Sequence, residues 1–125
     1  MNDHTIILLC GMYSLGFAVF HVMFSKIFGW KEELEKLSSN NKAIMQILNR
    51  RLIYFFVFVA AACFIFPEEL STTTFGHFFL IGMSLFWLGR TVEQVVYVKS
   101  QHPLAQLLTY LFIIGTILFA IPVLI

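Results

Sequence analysis

Between Phe75 and Val98 the chain runs FGHFFLIGMSLFWLGRTVEQVVYV, about the ~20 residues a helix needs to cross a bilayer core. Three further apolar stretches, 5–28, 43–66 and 103–125, have comparable length. Inside hydrocarbon no water is present to bond backbone N–H and C=O groups, so segments of this kind must be helical. Composition agrees: 59% of residues are hydrophobic and 12% charged, whereas a soluble domain has roughly 45–50% and about 25%. A soluble core could not hide that surface. The expected fold is therefore all-α, a single membrane domain over 1–125 in which four transmembrane helices form an antiparallel bundle. Short connections impose the antiparallel order.

The breaks carry their own signals. PEELSTTT (Pro67 to Thr74) reads as a tight loop, since Pro67 stops a helix and the hydroxyls can cap the next one. SQHP (Ser100 to Pro103) reads as a turn with Pro103 in the first turn of the last helix. In the first connection Trp30, Leu34, Leu37, Asn41, Ile44 and Leu48 alternate spacings of four and three, with Glu32, Glu33, Glu35 and Lys36 off that stripe. The pattern predicts a short amphipathic helix from Lys31 to Leu37 at the membrane interface. The cap-forming run Ser38-Ser39-Asn40-Asn41 separates it from the second span. Such a helix is a solvated linker or a docking surface for a partner.

Basic residues set the orientation. Lys26, Lys31, Lys36, Lys42, Arg50 and Arg51 flank the first connection and Lys99 the third, while the N-terminal tail and the 67–74 segment have none. The positive-inside rule then places the first and third connections in the cytoplasm and both chain ends outside. MNDHTIILL lacks the positive start of a signal peptide and carries Asp3, so the first apolar segment is expected to be a retained span. The net charge of +1 argues against nucleic acid as a partner, which calls for a basic face.

Charges inside the third span need a reason, because each costs on the order of 2.5–3.5 kcal/mol at a helix centre. Arg90, Glu93, Gln94 and Tyr97 stand at i, i+3, i+4 and i+7, one helical face on which Arg90 and Glu93 can pair. With the orientation above, Arg90 lies about 13 Å from Lys99 along the helix, in the cytoplasmic half. His21, then Asn49 and Tyr54, then Gln106, Thr109 and Tyr110 fall in the same half of the other three spans. This polar cluster is either a satisfied network that fixes helix register or a cytoplasm-open pocket for a small polar or anionic ligand. In a pocket, Arg90 would be the anchor and His21 a proton-sensitive neighbour.

Other chemistries have weaker grounds. A haem held by His21 and His77 would have to bridge roughly 15–20 Å along the membrane normal, so no cofactor is expected. Cys10 and Cys63 form no CxxC or Cys/His run, which excludes a sequence-evident metal site. Buried thiols are expected, and a disulfide between the first two spans is the alternative. Gly82 with Gly89, and Gly11 with Ser14 and Ala18, are small-residue stripes that suit helix packing or a homo-oligomer.

The runs WKEELEKL (Trp30 to Leu37) and FWLGRTVEQ (Phe86 to Gln94) resemble a family of small uncharacterised four-helix bacterial membrane proteins. Arg90, Gln94 and Tyr97 match its third-span pattern. The resemblance implies a four-helix fold in a bacterial inner membrane and brings no activity. Small multidrug exporters are similar in length but depend on a first-span glutamate, and this span has no acid after Asp3. The functional expectation is a non-enzymatic membrane subunit that binds a ligand or a protein partner. Its competitors are an oligomeric small-solute transporter or channel, and a haem- or quinone-linked redox subunit. A transport path needs polar groups along its whole depth, and the outer halves of these spans are almost purely apolar.

Overall fold

The computed structural model describes residues 2–125, and among these no strand occurs. The helices are α1 (Asp3–Val22), α2 (Phe24–Ile27), α3 (Trp30–Glu33), α4 (Ser39–Ile65), α5 (Pro67–Thr72), α6 (Thr74–Tyr97) and α7 (Pro103–Leu124). A 3₁₀ turn, Leu34–Lys36, continues α3. Four of the helices, α1, α4, α6 and α7, have 20, 27, 24 and 22 residues and are apolar enough to cross a membrane. By length and composition the chain is a multi-pass membrane protein. It divides into two compact units, one of residues 2–10 with Cys63–Ile125 and the other Gly11–Ala62.

In the first unit α6 and α7 form a helical hairpin. Ser84 Oγ donates to Thr116 O at 2.7 Å, Trp87 stacks on Phe112 at 5.6 Å between centroids, and Gln94 Nε2 donates to Ala105 O at 3.1 Å. Partners on α7 descend as positions on α6 rise, so the two helices run antiparallel. Leu80, Met83 and Trp87 from α6 and Phe112 and Phe119 from α7 are buried. The turn between the helices is closed by His102, whose Nδ1 accepts from Leu104 N at 3.0 Å, with Pro103 opening α7 as its spacing predicts.

The 67–74 segment differs from the expected loop. Its first six residues are α5, with Pro67 at the start and Glu68 and Glu69 in the first turn. Proline's fixed φ and two acids at the positive helix end favour that turn. Ser71, Thr72 and Thr73 donate their hydroxyls back to the carbonyls of Glu68 and Glu69. Thr73 Oγ1 also accepts from Gly76 N at 2.9 Å, capping α6. Gly76 is buried against this corner: a Cβ there would come under 3.0 Å from Glu69 O, Leu70 Cα and Leu70 O.

In the second unit Phe17 and His21 of α1 pack against Phe56 of α4, with ring centroids 5.9 Å and 5.1 Å apart. The first helix stops at Val22 instead of running on to 28. Met23 leaves helical geometry at φ −88°, ψ 0°, and the His21 carbonyl accepts from Asn49 Nδ2 at 2.8 Å. A side chain of α4 thus takes a carbonyl that a continuing helix would have bonded itself. Gly29 then turns the chain with φ 62°, a left-handed conformation that suits glycine. In place of a continuous 31–37 helix stand the single turn of α3 and the 3₁₀ turn. Ser38 Oγ accepts from Asn41 N at 3.3 Å at the start of α4.

The expected stripe is also displaced. Leu37, Asn41, Ile44 and Leu48 are exposed, leaving Leu34 buried and Trp30 half-buried. The inward positions of α4 are instead Lys42, Gln46, Asn49, Ile53, Phe56 and Ala60, which repeat by four and three. Apolar residues at a lipid-facing surface lose nothing by being outside, so hydrophobicity does not mark the packed face there.

Candidate functional site

Arg90 is half-buried on α6, three residues beyond the buried Trp87. Its guanidinium lies 4.6 Å from the centroid of the Phe112 ring on α7, within cation–π range. Nη2 donates to Gln94 Oε1 at 3.4 Å. The acid Glu93 is exposed, and the expected Arg90–Glu93 ion pair is replaced by this amide contact one residue further on. The reason is the helix face: Gln94 continues the buried row of Leu80, Met83 and Trp87, while Glu93 lies off it.

Gln94 is buried and bridges the hairpin. Its Oε1 accepts from Arg90 and its Nε2 donates to Ala105 O. Ala105 O also accepts from Thr109 Oγ1 at 3.0 Å. This carbonyl lies in the first turn of α7, where the helix's own Thr109 N–H also bonds it, so the side chains share an acceptor of the helix ladder. Arg90, Gln94 and Thr109 are therefore brought into one network. Tyr97, Gln106 and Tyr110 are exposed and take no part in it. The aromatic platform Phe112 is the member that sequence reasoning missed. Its signal was its level on α7, which the short turn at 98–102 sets opposite Trp87 and Arg90.

The second unit has a separate polar pair. His21 is buried, and its Nδ1 lies 2.7 Å from Phe17 O. A carbonyl only accepts, so Nδ1 carries the proton in this contact. The ring stacks on Phe24 at 4.1 Å. Asn49 holds the carbonyl of His21, and its own Oδ1 is buried with no hydrogen-bond partner among the described residues. Tyr54 is exposed, with the Arg51 guanidinium 5.7 Å from its ring.

Other candidates stand apart from these groups. His77 Nε2 lies 2.7 Å from Ser71 O, tying α6 to the end of α5. Cys10 and Cys63 are free thiols, both buried, and Cys10 Sγ donates to Leu118 O at 3.5 Å. Among the described residues no three His, Cys, Asp or Glu side chains come together in a way that could hold a metal ion. No known protein family, curated protein or solved structure matches the chain.

Proposed function

We propose that the chain is a non-enzymatic subunit of a bacterial inner membrane that binds a small anionic or polar group, with Arg90 as the anchor. One observation carries this reading. A guanidinium offers five N–H donors, yet among the described residues Arg90 has a single hydrogen-bond acceptor, Gln94, at 3.4 Å. That is longer than an ordinary N–H···O bond. The Phe112 ring covers one side of the cation and leaves the edge of the fork for a carboxylate or phosphate. Glu93, exposed one turn on, attracts the cation without forming an ion pair, so within a helix apolar enough to span a membrane Arg90 keeps much of its insertion cost. A bound anion would offset it.

In this reading the four long helices form an antiparallel bundle with both ends outside, as the distribution of lysine and arginine supports. The turns between α1 and α4 lie at the cytoplasmic interface as an amphipathic connector. Arg90 then opens toward the cytoplasm.

The test is native mass spectrometry of the detergent-purified protein beside Arg90→Ala and Arg90→Lys. The wild type should carry a small anionic species that Arg90→Ala lacks while keeping its helical circular dichroism. Arg90→Lys, with a point charge instead of a fork, should bind more weakly. An Arg90→Ala protein with the same bound species as the wild type would refute the assignment.

A further inference from the structure

Positively charged side chains near a cytoplasmic interface are usually read only as orientation signals. Three of them here do something more specific. Where α2, α3 and the start of α4 meet, the second unit holds a cleft of about 500 Å³. Lys26 comes to it from α2, Lys31 from α3 and Lys42 from α4. Gln46, one turn after Lys42, lines the same cleft, as does Trp30. Lys42, Gln46 and Trp30 are half-buried, so this is a concave surface and not a solvated helix face.

The charge balance of the cleft is uneven. Glu35 is the one acid on its wall, against three lysines. Among the described residues the ion pair is Lys36 with Glu33, at 3.2 Å, and neither residue lines the cleft. Among the described residues Lys26, Lys31 and Lys42 therefore have no carboxylate within ion-pair distance. Three lysines around one cleft outnumber its single acid and leave the cleft positive, and an anion between them offsets their repulsion. Gln46 adds an amide donor and Ser25 a hydroxyl.

We infer that this cleft binds a phosphate group through Lys26, Lys31 and Lys42. The volume falls within the range of small-ligand sites, which is large for a bare ion and suits a phosphate carried on a larger polar body. Ile27 and Met45, next in sequence to the lining residues Lys26 and Gln46, are exposed, as contact with an acyl chain beside the cleft requires. Basic pockets beside membrane helices on the cytoplasmic side hold anionic headgroups by this chemistry. An anionic phospholipid and a free solute both carry such a phosphate, and the two arms of the experiment distinguish them. The inference goes beyond the Arg90 reading and stands or falls independently of it.

The experiment uses the whole protein in neutral detergent, titrated in one arm with short-chain phosphatidylglycerol and in the other with inorganic phosphate. Binding is read by native mass spectrometry and by thermal shift. The variants are Lys26→Gln/Lys31→Gln/Lys42→Gln, the exposed pair Lys26→Gln/Lys31→Gln alone, and Lys36→Gln as the control outside the cleft. Each lysine near a membrane surface is worth roughly fivefold in affinity, so the triple variant should weaken binding on the order of a hundredfold. The double variant should weaken it roughly 25-fold, and Lys36→Gln should bind as wild type. Should the triple variant not fold, the double variant gives the same reading. Binding of phosphatidylglycerol without inorganic phosphate assigns the site to a lipid headgroup, and binding of both assigns it to the phosphate group itself. Either result supports the inference. It is overturned if neither probe binds, if the lysine variants bind as wild type, or if Lys36→Gln loses as much as they do.

Discussion

Substituting alanine for glycine inside a helix ordinarily stabilises it, by up to about 1 kcal/mol. On α6 the same substitution should have opposite signs at different positions. At Gly82 and Gly89 an added Cβ meets nothing within 4 Å, so Gly82→Ala and Gly89→Ala should be neutral or stabilising by about 0.5–1 kcal/mol. At Gly76 the Cβ would press on Glu69 O, Leu70 Cα and Leu70 O, all backbone atoms. No rotamer change relieves such a clash, so α5 must move away from α6. Overpacking of this kind costs about 1–3 kcal/mol, more than the propensity gain returns. The two classes of variant should therefore differ by about 2 kcal/mol, a factor of roughly 30 in the unfolding equilibrium. Unfolding by sodium dodecyl sulphate in mixed micelles, followed by helical circular dichroism, measures this directly. If Gly76→Ala unfolds at the same detergent fraction as Gly82→Ala, the close packing of α5 on α6 is refuted.

Other perturbations have equally definite outcomes. Gln94→Leu removes the bridge to Ala105 and the acceptor of Arg90, and should destabilise by about 0.6–1.7 kcal/mol in the same titration. Ser84→Ala, which removes the bond to Thr116, should cost about 0.6 kcal/mol; the double variant should show the sum, since the sites lie ~15 Å apart along the helix. Gly29→Ala should lose about 1–2 kcal/mol because alanine is strained at φ 62°, and Gly29→Asn should lose less; equal stability of all three would refute the backbone argument. Cys10 and Cys63 are each 0% exposed, so N-ethylmaleimide should label neither in the native protein and both after denaturation, a pattern read by mass spectrometry.

The four long helices were legible because a bilayer admits few alternatives: a stretch such as 103–125 has nowhere to fold except as a helix across it. The Thr73 cap was legible too, since a hydroxyl there can satisfy a first N–H group of the next helix; the cap by His102 was not, because histidine carries no such preference. The packed face of α4 was not. Hydrophobicity selected Ile44 and Leu48, which are exposed, and passed over Gln46 and Asn49, which turn inward. In lipid the apolar side of a helix can be the outer one, so polar residues are the better guide to its interior. The same lesson applies to Arg90. Its charge suggested the acid Glu93 three residues on, but tertiary packing favoured the neutral Gln94 because that residue lies on the buried row. The helix α5 was hidden by the assumption that a proline between spans makes a loop, although proline is well suited to a first helical turn. The lysines of the first connection were counted for their sign, and their convergence on one cleft required the fold.

In the proposed orientation the first and third connections face the cytoplasm and the 67–74 segment faces outside. Single cysteines placed at exposed Ser39, Thr72 and Ser100, in a protein whose own thiols are buried, can be tested with a membrane-impermeant maleimide on spheroplasts. Labelling at 72 alone, with 39 and 100 reacting only after lysis, is the predicted result. Labelling of 39 or 100 in sealed cells would contradict it.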